Sequence, residues 1–402
     1  MKVVTIGLGY IGLPTSALIA SKSIPVHGVD INEDVVETIN QGKIHIVEPD
    51  LDTVVQLAVE KGFLKASTIP VEGDVYLIVV PTPFKGNHEP DISYVEAATR
   101  SVLPLLKSGD LYIIESTSPI GTTEQMAELI FDERPELKDK IYISYCPERV
   151  LPGNVMFELV NNDRVIGGIN EASTDAAVSF YSKIVLGELH RTNARTAEMC
   201  KLVENSSRDV QIAFANELSI ICDKADINVW ELIKLANKHP RVNILQPGCG
   251  VGGHCIAVDP YFITSRFPTE SKLISTARAV NLFKTKWCVN QIRKAQIEFM
   301  QKNSRKPIVA LMGLAFKPNI DDLRESPALQ IALEFKQNED LLLTRFVEPN
   351  IESSEHFTIT NYHEAMLESD IIVFLVNHKE FASIKVLDSK QIIDLSGVVN
   401  SL

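Results

Sequence analysis

Val3-Val4-Thr5-Ile6-Gly7-Leu8-Gly9-Tyr10-Ile11-Gly12 is the stretch that decides the fold of this chain. Its apolar, β-branched start predicts a short buried strand, and its glycines fit the pattern G-x-G-x-x-G. Gly7 permits a tight turn, Gly9 lets a pyrophosphate approach the backbone, and Gly12 permits close packing of a helix on the sheet. That helix is expected through Ala20, with its first amides facing the anion. The motif therefore predicts a dinucleotide site.

The second predicted strand, Pro25 to Asp30, ends on an acid. A carboxylate at this point of the fold binds the adenosine ribose hydroxyls and repels a 2′-phosphate, so NAD is favoured over NADP. Tyr10 and Ile11, which stand between the glycines, are further candidate cofactor contacts.

Apolar runs and helix-compatible stretches alternate as far as about Leu189. The later runs are Val75–Val80, Leu111–Glu115 and Ile141–Ser144. Such alternation is typical of a parallel sheet wrapped by helices. We therefore expect an NAD-binding Rossmann-like domain over residues 1–189.

The pattern changes after this domain. Strand signals largely vanish between Thr196 and Asn303, where the composition is helical. Apolar runs return at Lys306–Gly313, Leu342–Val347, Ile371–Leu375 and Gln391–Leu395. The predicted fold class is α/β, with two Rossmann-like doubly wound domains joined by a helical central segment. The expected bounds are 196–303 for the central, dimerising segment that carries the cysteine loop and 304–402 for the carboxyl-terminal domain.

Composition limits the possible partners. The 402 residues are 45% hydrophobic and 23% charged, as in ordinary globular proteins, and carry a net charge of −13. This charge argues against nucleic acid or an anionic membrane as a main partner. The apolar run from Val3 to Ala20 is broken by glycines and Pro14, so we interpret it as part of the fold and expect a cytoplasmic protein. None of the six cysteines forms a CxxC pair, so reduced thiols and no metal site are expected.

A second glycine-rich stretch carries the candidate nucleophile. Gly248-Cys249-Gly250-Val251-Gly252-Gly253-His254-Cys255 places four glycines around a thiol. Glycine lets backbone approach a ligand closely, so the loop can press Cys255 against a substrate. A thiol in a chain with a nicotinamide site suggests oxidation through a covalent sulfur adduct. The alternative is a glycine-rich turn with a buried, inert cysteine.

Three other motifs are ambiguous when each is taken alone. Pro81 and Thr82 follow one strand, and Ser116 and Thr117 follow another, where ligands of doubly wound sheets bind; both loops also suit simple turns. Lys201 and Asn205 share one helix face and could stabilise an alkoxide, although most such pairs are merely solvated. Glu148 and Arg149, in Cys146-Pro147-Glu148-Arg149, are equally ambiguous, since either a functional or a purely structural role fits the pattern.

Taken together, these motifs resemble those of the UDP-glucose/GDP-mannose dehydrogenase family. In chain order they are GLGYIG, VPTP, ESTSPIGTT, CPERVLPG, EMCKLVENS, GVGGHC and GLAFKPNIDDLRESPA. The resemblance is densest, within the branch that acts on N-acetylated sugars, at Ile39–Leu51, VPTPFKGNHEPD, NDRVIGG and HPRVNILQPGCGVGGHCIAVDP. It implies oxidation of sugar carbon six to a carboxylate, with two NAD and one water. It further implies UDP-N-acetyl-D-mannosamine as substrate and a uronic acid product for surface polysaccharide.

The resemblance also implies roles for individual residues. Cys255 matches the nucleophile that captures the aldehyde as a thiohemiacetal, which is then oxidised to a thioester. Lys201 and Asn205 match residues that stabilise the oxyanion and hold the catalytic water. Asp259 matches an acid that positions water or transfers a proton. Glu148 matches a glutamate that handles substrate and supports thioester hydrolysis.

Other residues match binding positions. Arg241 resembles an arginine that reaches the neighbouring subunit's site in a homodimer. Arg324 is assigned to the cofactor, and the remaining candidate substrate contacts are Arg149, Gly252, Phe316 and Lys317. One departure stands beside Asp259, because Val258 occupies a position where the UDP-glucose enzymes usually have lysine. This fits the N-acetylated-sugar branch and leaves the role of Asp259 less defined.

Three alternatives stay open at the level of sequence. UDP-N-acetylglucosamine or UDP-N-acetylgalactosamine could be the substrate. A β-hydroxyacid dehydrogenase of the 3-hydroxyisobutyrate type would share the dinucleotide domain and the Lys-x-x-x-Asn pair but needs no thiol. A non-catalytic NAD-binding sensor would have no reason to combine Lys201, Asn205 and Cys255. The NADH formed per substrate separates the dehydrogenases and the sensor: two, one or none.

Overall fold

The computed structural model describes residues 1–86, 88–150, 153–253, 255–338, 343–382 and 389–399. The chain divides into two compact units. The first unit comprises Met1–Val203 with Tyr261–Arg266, and the second comprises Glu204–Pro260 with Phe267–Leu402. Among the described helices, none has the length and apolar content to cross a bilayer. The cytoplasmic location stays a prediction.

The first unit is built on ten strands and seven helices of the described chain. The strands are β1 (Val3–Ile6), β2 (Val26–Val29), β3 (Leu64–Ser67), β4 (Val75–Ile78), β5 (Phe84–Lys85), β6 (Glu89–Pro90), β7 (Leu111–Ile114), β8 (Tyr142–Tyr145), β9 (Arg164–Gly168) and β10 (Leu189–Asn193). The helices are α1 (Gly12–Ser21), α2 (Glu33–Asn40), α3 (Leu51–Glu60), α4 (Ser93–Val102), α5 (Thr122–Glu133), α6 (Val155–Asn161) and α7 (Glu171–Tyr181).

Eight of these strands form one sheet in the order β10-β9-β8-β7-β4-β1-β2-β3, while β5 and β6 form a separate hairpin. Both faces of the large sheet are covered. Val3 and Leu77 pack into one core cluster, and Val4 and Ile78 pack into the other. Because side chains alternate across a strand, fully apolar runs are what a sheet buried on both faces requires. The central strands were predictable for this reason.

The edges of this sheet differ from the sequence prediction. A parallel sheet was expected, but β9 pairs antiparallel with β8, and β10 runs parallel to β9. Strands β3 and β10 carried no recognisable signal. Both are edge strands with exposed positions, so their sequences Leu64–Ser67 and Leu189–Asn193 lack continuous apolar runs. Strand β10 begins where the predicted first domain ends.

The second unit contains a smaller parallel sheet and most of the helical segment. Its strands, in the spatial order β12-β11-β13-β14, are β11 (Val309–Met312), β12 (Thr344–Val347), β13 (Ile371–Phe374) and β14 (Gln391–Asp394). Its helices are α9 (Val229–Ala236), α11 (Lys272–Asn303), α12 (Pro327–Asn338) and α13 (Tyr362–Glu368). Two helices, α8 (Ala194–Ala225) and α10 (Asp259–Arg266), contribute residues to both units.

The long helices α8 and α11 are held together by buried polar groups. Arg278 Nη1 lies 2.5 Å from Asp209 Oδ1, and both side chains are buried. Asn281 Nδ2 also donates to Asp209 Oδ1, at 2.8 Å. The predicted fold class, two Rossmann-like α/β parts with a helical central segment, is confirmed. The division into three domains, residues 1–189, 196–303 and 304–402, stays a prediction.

Candidate active site

The three glycines of the first loop have different surroundings. Gly7 has φ +95°, and a Cβ there would lie 2.3 Å from the Val79 carbonyl oxygen. A Cβ on Gly12 would lie 1.9 Å from the Gly7 oxygen, whereas a Cβ on Gly9 would meet no atom within 4 Å. The fold itself therefore requires Gly7 and Gly12. Gly9 borders open space at the amino terminus of α1, which is the room that a pyrophosphate needs.

Asp30 lies directly after β2 and organises the same loop. Its Oδ2 accepts a hydrogen bond from the Leu8 amide at 3.0 Å, and its Oδ1 accepts one from the Asn32 amide at 3.0 Å. A carboxylate has about four acceptor positions, so capacity for ribose hydroxyls remains. Sequence reasoning missed Ile31, which is 93% exposed beside this acid. A large apolar side chain at that exposure is a candidate surface for an adenine ring.

The two hydroxyl-rich loops meet at the carboxyl ends of β4 and β7. Ser116 Oγ accepts from the Val80 amide at 2.9 Å, and Thr82 Oγ1 donates to the Thr117 carbonyl at 2.7 Å. The structure thus brings Thr82, Ser116 and Thr117 together, and their contact with the cofactor stays a prediction. Ser116 is buried and its hydroxyl serves the loop, while Pro81 is exposed.

Glu198 on α8 is a positioning residue that sequence reasoning missed. Its Oε2 accepts from the Gly121 amide at 2.6 Å, and its Oε1 accepts from the Thr123 amide at 2.8 Å and hydroxyl at 2.7 Å. Burial raises the pKa of this carboxyl. Glu198 ties the start of α5 to the turn of α8 that precedes Lys201. Its place at the head of the EMCKLVENS motif was the available signal.

Glu148 lies in a buried ionic cluster of the first unit. Its Oε2 is 2.9 Å from Arg164 Nη2, with the two side chains 8% and 5% exposed, and its Oε1 accepts from the Arg149 amide at 2.7 Å. The Arg164 guanidinium carbon lies 5.0 Å from the ring centroid of Tyr181, whose hydroxyl donates to Glu115 at 2.5 Å. Burial raises the pKa of Glu115 to about 7. Glu148 therefore has its charge balanced by Arg164 and its orientation set from both sides.

Cys255, Asp259 and Asn205 are gathered in the second unit. Cys255 is exposed in the turn before α10, and its carbonyl accepts hydrogen bonds from the Val258 amide at 3.1 Å and the Asp259 amide at 2.8 Å. Asp259 is buried, and Asn205 Nδ2 donates to its Oδ2 at 2.5 Å. Lys201 lies one turn before Asn205 on the same face of α8. His254 lies outside the described residues.

The glycines of the cysteine loop pack against the segment after β11. A Cβ on Gly252 would lie 2.5 Å from the Glu325 oxygen and 2.8 Å from Phe316 Cβ. Gly253 has φ +82°, and its Cβ would lie 3.0 Å from Phe316 Cε2. Glycine is therefore required here by close packing as well as by backbone conformation. The structure places the predicted substrate contacts Gly252 and Phe316 side by side, with Lys317 exposed next to them.

The two predicted arginine contacts of the second unit are exposed. Arg324 makes a two-pronged ion pair with Asp322, with Nε–Oδ1 at 2.9 Å and Nη2–Oδ2 at 2.6 Å. The Arg324 carbonyl accepts a hydrogen bond from the Gly253 amide at 3.2 Å, so Arg324 also supports the cysteine loop. Arg241 follows α9 on an exposed turn.

Comparison with known proteins accounts for these features together. Residues 1–185 match the NAD binding domain, residues 195–282 the central domain and residues 310–401 the UDP binding domain of one family. The chain belongs to the UDP-glucose/GDP-mannose dehydrogenase family. It is an NAD-dependent nucleotide-sugar dehydrogenase, with the glycine loop and Asp30 inside the NAD-binding part and Phe316 and Lys317 inside the UDP-binding part.

Similar proteins refine the comparison. A UDP-N-acetyl-D-mannosamine dehydrogenase of Campylobacter jejuni is 54% identical over 96% of this chain and 97% of its own. An NDP-N-acetyl-D-galactosaminuronic acid dehydrogenase of Ralstonia nicotianae is 50% identical over 98% of this chain and 95% of its own. The solved structure of a UDP-D-ManNAc dehydrogenase from Pyrococcus horikoshii has a TM-score of 0.88 and 38% identity, covering 99% of this chain and 96% of that one.

Proposed function

We propose that this protein oxidises carbon six of UDP-N-acetyl-D-mannosamine to the carboxylate, in two NAD-dependent steps joined by a covalent bond to Cys255. The observation that carries the proposal is that an exposed thiol, Cys255, shares a turn with Asp259, whose carboxylate accepts a hydrogen bond from Asn205 of α8. The relatives that are about 54% identical support the choice of sugar. The uronic acid product would supply surface polysaccharide.

Bound NAD accepts one hydride in each oxidation, and Gly9 and Asp30 are the residues that would hold it. The first oxidation turns the primary alcohol into an aldehyde. The Cys255 sulfur then adds to the aldehyde carbon and forms a thiohemiacetal, because a tetrahedral adduct can release hydride where the aldehyde cannot readily do so. Its oxidation leaves a thioester. Water adds to the thioester carbon, the C–S bond breaks, and carboxylate and thiol are released.

The hydrogen bond between Asn205 and Asp259 determines what these two side chains can do. Asn205 donates an amide N–H to Asp259 Oδ2, which fixes the orientation of that carboxylate, and a carboxylate held in this way can orient a water or accept its proton. Lys201, on the same face of α8, supplies positive charge to the oxyanion that forms on carbon six. Glu148, held by Arg164, is proposed to support the hydrolysis of the thioester.

An assay of NADH per substrate tests the proposal. Purified protein with NAD and a panel of UDP-sugars should form two NADH for each UDP-N-acetyl-D-mannosamine, and mass spectrometry should show the carboxylate. One NADH per substrate would indicate a two-electron dehydrogenase. Faster oxidation of UDP-N-acetylglucosamine or UDP-N-acetylgalactosamine would change the proposed substrate and leave the proposed mechanism as it is. The Ralstonia relative makes the galactose configuration the stronger alternative.

We further propose a homodimer in which Arg241 completes the partner's substrate site. Large apolar side chains on α8 and α11 are exposed in the single chain, namely Phe214, Ile221, Leu282 and Phe283. Such faces are what an obligate dimer interface buries. Arg241→Ala and Cys255→Ala should be inactive alone and rescue each other when mixed and reassembled. Random pairing gives about half heterodimers with one good site each, hence about a quarter of wild-type activity. No recovery in confirmed heterodimers would place Arg241 in its own subunit's site.

A further inference from the structure

The loop after β11 repeats the backbone geometry of the loop after β1. Gly7 and Gly313 have φ of +95° and +91°. The Gly7 amide donates to the Val29 carbonyl at 2.8 Å, and the Gly313 amide donates to the Val347 carbonyl at 2.8 Å. In both units, therefore, a glycine turns the chain out of the first strand and is tied to the end of the neighbouring strand.

An acid follows the neighbouring strand in each unit and holds the next amide. Asp30 accepts from the Leu8 amide at 3.0 Å, and Glu348 accepts from the Leu314 amide at 2.7 Å. Each acid also accepts, at 3.0 Å, the amide two residues further along the chain. We call this pair of hydrogen bonds from one carboxylate the clasp: Asp30 with the Leu8 and Asn32 amides in the first unit, and Glu348 with the Leu314 and Asn350 amides in the second. The two units differ in what else the acid contacts.

Glu348 has no capacity left for a ligand. Its Oε2 also accepts from the Ala315 amide at 2.9 Å and lies 3.1 Å from His378 Nε2, and the Glu348 and His378 side chains are 0% exposed. The pKa of Glu348 lies below its usual range because His378 and backbone amides stabilise the carboxylate against the opposing effect of burial. A ribose cannot reach this acid, so the second clasp serves the loop alone.

His378 joins the acid to the far end of the same loop. Its Nδ1 accepts from the Asn319 amide at 3.0 Å and lies 3.0 Å from Asn350 Nδ2, so Nε2 carries the hydrogen that faces Glu348. Asn319 has φ +62°, and its Oδ1 accepts from the Lys379 amide at 2.8 Å. Residues 313–319 are thereby held at their start by Glu348 and at their end by His378.

This loop carries Phe316 and Lys317, and Phe316 packs on Gly252 and Gly253 of the cysteine loop. We propose that Glu348 and His378 are positioning residues that hold Phe316 and Lys317 in the conformation that binds the uridine diphosphate of the substrate. The inference rests on the proposed function, because that function places the UDP group at this loop. Neither side chain touches substrate, and both act through the loop.

The test compares UDP and NADH as ligands of the full-length protein. His378→Gln replaces the rigid ring with a flexible amide whose donor and acceptor point in different directions from the two ring nitrogens, so the bonds to Glu348 and to the Asn319 amide should not both be kept. UDP measured by titration calorimetry should bind on the order of 10-fold more weakly, since a lost buried hydrogen bond of about 1.4 kcal/mol corresponds to that factor. NADH affinity should change much less, because its candidate contacts other than Arg324 lie in the first unit. The matched control is His356→Gln, a partly exposed histidine beside Glu355 in the same unit.

Asn319→Gly provides a second, milder variant that keeps the positive φ and removes only the bond to the Lys379 amide. This variant should also bind UDP more weakly, by several-fold, and its affinity for NADH should stay at the wild-type value. If His378→Gln does not fold, Glu348→Gln, which keeps the size of the side chain and removes the charge that holds the Leu314 and Ala315 amides, decides the question with the same two ligands. Wild-type UDP affinity in the folded variants, or equal weakening of UDP and NADH, would overturn the inference. A wild-type protein that binds no UDP would instead overturn the proposed function.

Discussion

Gly9 and Gly12 stand in one motif, yet the structure predicts opposite consequences for alanine at the two positions. A Cβ on Gly9 would meet no atom within 4 Å, and its φ is not in the left-handed region. A Cβ on Gly12 would lie 1.9 Å from the Gly7 carbonyl oxygen. Gly9→Ala should therefore fold normally and lose cofactor, whereas Gly12→Ala should lose stability before it affects binding.

The magnitudes follow from these distances. For Gly12→Ala the loop must retreat by more than 1 Å to reach an ordinary contact, and such overpacking costs about 1–3 kcal/mol. In a unit of about 200 residues, that is a decrease in Tm of roughly 2–12 °C. For Gly9→Ala the stability should change by less than about 1 kcal/mol. The new methyl group would occupy the space of the pyrophosphate and cost about one charge-assisted hydrogen bond, hence about 10- to 100-fold in affinity.

Two measurements on the same samples decide the matter. Thermal denaturation without ligand reports Tm, and fluorescence titration with NADH reports Kd. The expected result is a low Tm for Gly12→Ala only, and a raised Kd with unchanged Tm for Gly9→Ala. Gly9→Ala with wild-type affinity for NADH would refute the placement of the pyrophosphate at this loop. A Gly9→Ala protein as unstable as Gly12→Ala would refute the packing argument.

Cys255→Ala should bind NADH normally and form no carboxylate from UDP-N-acetyl-D-mannosamine; acid produced at the wild-type rate would exclude a covalent mechanism. Asp30→Ser combined with Ile31→Arg should lower kcat/KM with NAD and raise kcat/KM with NADP. An unchanged ratio of the two kcat/KM values would mean that Asp30 does not face the ribose. Burial raises the pKa of Glu115 to about 7 from 4.5, so the folded chain keeps a proton that the unfolded chain releases. As the pH rises from 4.5 to about 7, the free energy of unfolding should therefore fall by up to about 1.4 kcal/mol per pH unit. Glu115→Gln should remove that contribution in urea denaturation, and an identical slope in the variant would contradict it.

The central strands could be found from sequence because both faces of the large sheet are buried. Strands β1, β4 and β7 are wholly buried and read as continuous apolar runs. The edge strand β10 was missed because Leu189–Asn193 has mostly exposed or partly exposed positions. The antiparallel pairing of β9 with β8 was also missed, since strand direction depends on the path of the connecting chain rather than on the strand's own residues.

The candidate site divides in the same way. Spacing along one helix was enough to place Lys201 and Asn205 on one face, because the helical period is local. The bond between Asn205 and Asp259 joins residues 54 positions apart, and no local pattern contains it. Glu198 and Arg164 were missed for the same reason, since each acts on a loop that lies distant in sequence.

By itself the sequence determined the glycine loop, the acid at the end of β2, the α/β class and the cysteine on a glycine-rich turn. Each of these depends on backbone conformations and periodicities that a few neighbouring residues specify. Only the tertiary structure decided that Glu348 is a buried clasp while Asp30, in the same position of its own unit, stays half-buried and able to bind a ligand. The difference is made by His378, 30 residues away in the chain, because burial and hydrogen-bond partners are properties of the packed chain and not of the motif.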